Sequence, residues 1–165
     1  MAVLPILKWP DPRLSEICAP VAPGEDLQAL AADMLETMYA APGRGLAGPQ
    51  VGVMKRIFVM DVTWKEGTPT PMVCVNPEIL SQSEEVAAHE EACLSIPGVA
   101  ARVSRPGRIV LRWFDTGWTQ HEAELTGFHA VCAQHEYDHL DGRVIFDRID
   151  TATRAQLVVD YGALG

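Results

Sequence analysis

The apolar residues of the chain follow two different periods, and each period predicts its own kind of element. Between Leu27 and Met38 they recur at helical spacing, and Pro42 and Gly43 then end the predicted helix. Runs rich in β-branched and aromatic residues predict strands in other parts of the chain. These runs are residues 56–62, 72–75, 101–105, 109–114 and 122–125.

A second predicted helix runs from a candidate N-cap at Thr126 to a stop at Gly142. One stripe of this helix is expected to face the interior, and it carries two histidines as well as apolar residues. The stripe consists of Phe128, Val131, Cys132, His135 and His139. A buried histidine needs a polar partner, because burying an unpaired polar group costs free energy. A metal ion would be such a partner.

The order of these elements indicates the fold class. Helices and strands are mixed without regular alternation, which favours an α+β fold over one built on a parallel sheet. A chain of 165 residues suits one domain with its own core, and no repeat or long linker divides it. We therefore predict a single α+β domain over residues 1–165, with mixed or antiparallel sheets packed around the helix that carries the histidines.

Composition and charge narrow the functional classes. The net charge of −9 repels phosphate backbones, so direct nucleic-acid binding is not expected. No run approaches the roughly 20 apolar residues of a membrane helix, and residues 1–10 do not resemble a signal peptide. These features predict a cytoplasmic protein without a membrane partner. The four cysteines lack the spacing of a disulfide scaffold and are expected as thiols or metal ligands.

The second helix contains an H-E-x-x-H sequence, His135 to His139. Two residues four apart share a helix face, so both imidazoles can bind one divalent ion while Glu136 reaches its water. The alternative is a pair of histidines satisfied by ordinary hydrogen bonds. A catalytic site also needs a third ligand, and no histidine follows His139. Cys93 is one candidate, although its spacing is equally compatible with a small core residue.

Three segments, in this order, resemble the signature motifs of the peptide deformylase family. The family motif Gly-x-Gly-Leu-Ala-Ala-x-Gln corresponds to residues 43–50, and Glu-Gly-Cys-Leu-Ser corresponds to residues 91–95. The third motif, Gln-His-Glu-x-Asp-His-Leu, corresponds to residues 134–140. Flanking segments are similar as well, so the resemblance covers nearly the whole chain. Three motifs in order are far more specific than any one alone.

The resemblance implies a metal-dependent hydrolase that removes the formyl group from N-formylmethionyl nascent polypeptides and releases formate. It implies one divalent ion held by Cys93, His135 and His139, with Fe²⁺ expected in the cell and Zn²⁺, Ni²⁺ or Co²⁺ as substitutes. It also implies Glu136 as the general acid and base. The side-chain amide of Gln50 is expected to stabilise the oxyanion.

The remaining site residues also follow from the resemblance. The backbone N–H of Leu94 is expected to share the oxyanion with the glutamine. Gly43, Arg44, Gly45 and Glu91 are expected to contact the substrate, which would be an N-formylated nascent peptide. The segment 147–165 has two arginines against three aspartates, so ribosome docking is expected to be weak or absent.

Four residues depart from the family pattern close to the expected substrate site. Ala92 replaces a glycine, and its methyl group would restrict the backbone if that position required a positive φ. Gly48 replaces an alanine, and Ala100 stands where studied members carry an arginine. Arg44 replaces an aliphatic residue, so it is expected to favour short or acidic formyl substrates, with Glu90, Glu91 or a substrate carboxylate as its anion.

Three other functions remain as alternatives. A deformylase-like paralogue acting on a different formyl or acyl amide is motivated by Arg44 and Ala92. A non-catalytic metal-binding domain is disfavoured, because a closed structural site has no use for Glu136 or Gln50. A thiol redox protein based on Cys93 is disfavoured, because no Cys-x-x-Cys pair is present.

Overall fold

A computed structural model describes residues 2–164 of the chain. The strands are β1 (Gly45–Ala47), β2 (Ile57–Met60), β3 (Met72–Gln82), β4 (Val86–Cys93), β5 (Ile96–Pro106), β6 (Arg108–Phe114) and β7 (Gln120–Thr126). The α-helices are α1 (Gln28–Ala40), α2 (Gly127–Leu140) and α3 (Thr151–Ala163). Residues 1 and 165 of the predicted domain lie outside the described range, so the boundary 1–165 stays a prediction.

The strands form two antiparallel sheets. The larger sheet has the order β1-β2-β3-β6-β7, and β4 pairs with β5 in a separate two-stranded sheet. This arrangement confirms the predicted α+β class. Of the two predicted kinds of sheet, mixed or antiparallel, the structure has antiparallel ones. Among residues 2–164, no helix combines the length and the apolar character needed to cross a membrane.

Helix α2 lies at the centre of the fold. It contacts β1, β2, β5, β6 and β7 and therefore touches both sheets. Its buried residues Ala130, Ala133 and Leu140 share a core with Phe58 and Leu111 of the larger sheet. The small alanine side chains let the helix backbone approach the sheet closely. The other face of α2 is thereby directed towards the β4–β5 hairpin.

A second core supports that hairpin from behind. It includes Cys93 and Phe146, and partly buried side chains of α3, among them Leu157 and Tyr161, pack against it. The Tyr161 hydroxyl donates a hydrogen bond of 2.8 Å to the carbonyl of Trp9. Helix α3 thus joins the amino-terminal segment to the back of the hairpin.

The structure extends several predicted strands and adds elements that the pattern did not predict. β3 continues to Gln82, and β5 already begins at Ile96. β4 was not predicted, because six of its eight residues are exposed or only half-buried and its apolar and polar residues do not alternate. Helix α3 was not predicted either, since none of its residues is fully buried. Its N-cap, Asp150, accepts a hydrogen bond from the Thr153 amide at 2.8 Å.

One prediction about α2 is wrong. Phe128 was placed on the interior stripe, but it is 74% exposed at the start of the helix. The next two residues of the stripe, Val131 and Cys132, are half-buried. His135 and His139 are buried as predicted.

Candidate metal centre

The β4–β5 hairpin and helix α2 bring three candidate ligands together. Cys93 is the last residue of β4 and pairs with Ile96 across a tight turn, while His135 and His139 lie one helical turn apart on α2. One ligand atom from each of the three residues lies within 4.8 Å of the others, and all three residues are buried. Thiolate and imidazole are the donors that Zn²⁺ and related transition metals prefer.

The spacing of these atoms fits a shared ion. The Cys93 sulfur lies 3.5 Å from Nε2 of His139. Tetrahedral zinc, with its usual bond lengths to sulfur and nitrogen, would separate two such donors by about 3.6 Å. Burial would raise the pKa of the Cys93 thiol, but the imidazoles of His139 and His135 hold that pKa well below its usual range. The residues present therefore fit a divalent metal.

Glu91 orients one of the ligands. Its Oε1 accepts a hydrogen bond of 3.0 Å from Nδ1 of His135, so Nε2 of that ring is left for the metal. Arg105 donates to both oxygens of Glu91, at 2.6 and 2.9 Å, and to Asp138 at 2.9 Å. Burial opposes ionisation of Glu91, but hydrogen bonds from His135 and Arg105 hold its pKa below its usual range.

Sequence reasoning did not single out Arg105 or Asp138, although a signal for the arginine exists. Ala101, Val103 and Arg105 alternate along β5, and all three are buried. Alternate residues of a strand point to the same face, so an arginine in step with core residues is buried and requires anionic partners. Those partners, Glu91 and Asp138, lie 14 and 33 residues away in sequence.

The carboxylate of Glu136 lies beside the ligands without being one of them. Its Oε2 is 4.0 Å from Nε2 of His135, and its buried Oε1 has no hydrogen-bond partner among the described residues. Burial raises the pKa of this carboxyl above its usual range, although His135 and His139 oppose the shift. A Cβ atom added at Gly45 would lie 2.9 Å from the Glu136 carboxyl carbon, and closer still to Oε2. Only glycine fits there without moving the carboxylate.

Gln50 is held on the other side of the cysteine. Its Oε1 accepts a hydrogen bond of 2.9 Å from the Ala47 amide, which fixes the orientation of the side-chain amide. Its Nε2 donates to the Ser95 hydroxyl at 3.0 Å and lies 3.6 Å from the Cys93 sulfur. The glutamine is therefore a buried, oriented donor next to the candidate metal site.

These groups open into a cavity of about 630 Å³. Nine of the ten predicted site residues line it, namely Gly43, Arg44, Gly45, Gln50, Glu91, Cys93, Leu94, His135 and Glu136. The tenth, His139, is buried beneath them. The cavity is large enough for a small molecule or for a side chain of a peptide, and its polar groups converge on one end.

Comparison with known proteins identifies the family. The sequence profile described as Polypeptide deformylase matches residues 3–155. The chain belongs to the peptide deformylase family. A curated peptide deformylase from Alkalilimnicola ehrlichii is 49% identical over 158 residues, which cover 95% of this chain and 88% of that protein. One from Rhizorhabdus wittichii is 46% identical over 164 residues, covering 96% and 93%.

Solved peptide deformylase structures agree with this assignment. The crystal structure from Legionella pneumophila has a TM-score of 0.91 at 36% identity and covers 99% of this chain and 95% of its own. The structure from Thermotoga maritima has a TM-score of 0.85 at 40% identity, covering 91% and 99%. The chain is thus a peptide deformylase, a hydrolase that removes the N-formyl group from nascent polypeptides. Peptide deformylases are metal-dependent, in keeping with the ligand cluster.

Three of the four departures from the family pattern can be related to the local structure. Ala92 is not among the residues with positive φ, so its methyl group does not strain the backbone. At Gly48, a Cβ would lie 2.7 Å from the Val53 carbonyl oxygen, so the usual alanine of the peptide deformylase motif would not fit here. Arg44 pairs with Glu66 at 3.3 Å, rather than with the acids expected from the sequence.

Proposed function

We propose that Cys93, His135 and His139 hold one divalent ion in this peptide deformylase and that Glu136 moves the protons of the reaction. The observation that carries the proposal is the cluster of three buried ligand atoms beside a buried carboxylate that is not a ligand. Fe²⁺ is the proposed native ion, and the same donors would accept Zn²⁺, Ni²⁺ or Co²⁺. When bound, the ion would supply Lewis acidity that lowers the pKa of the attacking water and polarises the formyl oxygen.

Glu136 acts as the general base and then as the general acid. Its carboxylate takes a proton from the attacking water and delivers that proton to the departing amine nitrogen as the formyl C–N bond breaks. The products are formate and a free amino terminus. The raised pKa of this carboxyl suits both roles, because a catalytic group works best when its pKa approaches the working pH.

Gln50 and Leu94 stabilise the negative oxygen that develops on the formyl group. The Gln50 amide is oriented in advance by the Ala47 amide, which places its Nε2 donor beside the Cys93 sulfur. Leu94 lies in the turn directly after Cys93, and its backbone N–H is the proposed second donor. Such preorganised donors are each worth about 10²–10³ in kcat.

Substrate contacts are assigned to the loop before β1 and to Gly45, the first residue of that strand. Gly43, Arg44 and Gly45 line the cavity opposite the β4–β5 hairpin, and an N-formylated chain would lie between the two. Glu91 also lines the cavity, but its carboxylate is engaged by His135 and Arg105. We therefore assign Glu91 to positioning His135 rather than to direct recognition of the substrate.

The cellular setting follows from the substrate. Nascent chains emerge from ribosomes, so the cytoplasm is the proposed location. The acidic net charge of −9 supports the absence of direct nucleic-acid binding and of strong ribosome docking. A second candidate function is hydrolysis of a different formyl or acyl amide. The arginine at the cavity mouth, Arg44, favours it, because the family pattern has an aliphatic residue there.

The test separates metal binding from chemistry. Glu136→Gln should retain about one divalent ion per chain, because the glutamate is not a ligand. Its turnover of a formyl-Met peptide should nevertheless be about 10²–10⁴-fold slower than that of wild type. Metal content and formate release are measured on anaerobically purified protein, because a ferrous thiolate site oxidises. Glu84→Gln, in the exposed turn between β3 and β4, is the control and should behave as wild type. Near wild-type turnover in Glu136→Gln would contradict the assignment.

A further inference from the structure

Three cationic side chains stand around the mouth of the active-site cavity. Lys8 comes from the amino-terminal segment, Arg44 from the loop before β1, and Lys65 from the 3₁₀ turn after β2. All three line the cavity and are exposed. Glu90 is the exposed acid among the described lining residues. The mouth therefore carries positive charge on a protein whose net charge is −9.

This positive charge is not consumed by the acids inside the cavity. Glu91 is neutralised by Arg105, which forms a buried ion pair with it. Glu136 is buried beside the metal ligands. Arg44 pairs with Glu66, but both side chains are largely exposed, and such pairs are worth little. The Arg44 guanidinium can therefore leave Glu66 and bind another carboxylate at a small cost in free energy.

The 3₁₀ turn that carries Lys65 is held against the loop before β1. The indole N–H of Trp64 donates a hydrogen bond of 2.9 Å to the Gly43 carbonyl, and the Tyr39 ring packs edge-on against the indole. The Tyr39 hydroxyl in turn donates a hydrogen bond to Asp61, and Asp61 also accepts one from the backbone amide of Thr70. Lys65 extends over the Trp64 ring, with Nζ 5.7 Å from its centre. The ammonium group is thereby kept at the mouth.

Lys8 is fixed in a similar way. The amide of the preceding residue, Leu7, donates to the Gln50 carbonyl at 2.7 Å, and the amide of Trp9 donates to the Ser95 carbonyl at 2.8 Å. The Lys8 ammonium donates to the carbonyl of Leu94 at 3.2 Å. An ammonium held by one carbonyl keeps two donors for a ligand.

We propose that this cationic mouth, formed by Lys8, Arg44 and Lys65, selects formyl peptides that carry a carboxylate within the first few residues after the formylated one. The carboxylate is either an acidic side chain or the terminal carboxylate of a short peptide. Since the formylated residue occupies the cavity, the residues that follow it must leave through the mouth and pass these cations. The inference rests on the proposed function, because it assumes that the formyl group reaches Cys93, His135 and His139.

The test compares kcat/KM for three peptides at low and high ionic strength. The peptides are formyl-Met-Ala-Ser amide, formyl-Met-Asp-Ser amide and formyl-Met-Ala-Ser with a free carboxylate. At low salt, at least one anionic peptide should exceed the neutral amide by about threefold or more, mainly through KM. The advantage should shrink in 0.5 M salt, because exposed charges are screened. Preference for the aspartate peptide would show that the recognised carboxylate belongs to a side chain. Preference for the free acid would show that it is the terminal carboxylate.

Charge-matched variants test the residues themselves. Lys8→Met and Lys65→Met should each lower the anionic-to-neutral ratio by about twofold or more. Lys55→Met removes the same charge away from the mouth, where Lys55 pairs with Glu25, and should leave the ratio unchanged. Equal kcat/KM for all three peptides, in a wild type that hydrolyses them, would overturn this inference alone. If wild type hydrolyses none of them, the proposed function fails and the inference fails with it.

Discussion

Gly45→Ala tests whether the close approach of β1 to Glu136 is required for catalysis. A Cβ at this position would lie 2.8 Å from the sulfur of Cys132 and 2.9 Å from the carboxyl carbon of Glu136. Carbon atoms in good contact are about 3.5–4 Å apart, so the carboxylate must move by about 0.6–1 Å. The backbone of Gly45 itself does not have a positive φ, so the substitution adds no conformational strain.

The expected cost follows from that displacement. A misplacement of about 1 Å can lower activity by about 10²-fold, so kcat/KM should fall by roughly that factor. Overpacking of this kind also costs about 1–3 kcal/mol of stability. Metal content should stay near one ion per chain, because the three atoms nearest to the new methyl group belong to Glu136 and Cys132, and neither residue is a proposed ligand. The variant should therefore fold and bind metal but turn over slowly.

The assay measures metal content, thermal unfolding and formyl-peptide turnover on the same preparation. Gly107→Ala is the control, because a Cβ there meets no atom within 4 Å. Adding Cys132→Ala to Gly45→Ala removes one of the two close contacts. That double variant should recover stability rather than activity, since the contact with Glu136 remains. A folded Gly45→Ala enzyme with kcat/KM within about threefold of wild type would refute the reasoning.

Three further predictions concern the ligand set and the fold. Cys93→Ala should lose most of the bound metal in elemental analysis, and full occupancy would remove the cysteine from the ligand set. Gly48→Ala, although it restores the family's usual residue, should lower stability by about 1–3 kcal/mol in urea unfolding, because the methyl group meets the Val53 carbonyl; an unchanged midpoint would contradict this. Burial opposes ionisation of Asp61, but the hydrogen bond from Tyr39 and backbone amides hold its pKa below the usual value. Its stabilising effect should therefore be complete above about pH 4 and be lost as the pH falls below that, and Asp61→Asn should flatten this acid limb of the stability profile.

The local parts of the site were predictable from the sequence. His135, Glu136 and His139 are spaced for one helix face, so a helix alone is enough to place both imidazoles together. The α+β class followed from the mixed periods of the apolar residues. Cys93 was a harder case, because its spacing alone was equally compatible with a core residue. The resemblance to the family motifs selected it, and the fold places its sulfur beside His139.

The arrangement around the ligands depended on tertiary packing. β4 is mostly exposed and its apolar and polar residues do not alternate, so no apolar period marks it. It exists as a strand because its backbone pairs with β5. Arg105 reaches Glu91 and Asp138 across long stretches of sequence, and local spacing carries no information about such contacts. Arg44 likewise meets Glu66 instead of Glu90 or Glu91, the acids expected from the sequence.

The sequence by itself therefore determined the fold class and the helix that carries His135 and His139, because these depend on the periods of the apolar residues and on i, i+4 spacing. The resemblance to the family motifs added Cys93 to the candidate ligands. Only the tertiary structure decided that Glu91 orients His135 and that Gly45 leaves room for Glu136. It also decided that Lys8 and Lys65 meet at one cavity mouth. Each of these arrangements involves segments far apart in the chain, and the packing of α2 between the two sheets brings Glu91 to His135 and Gly45 to Glu136.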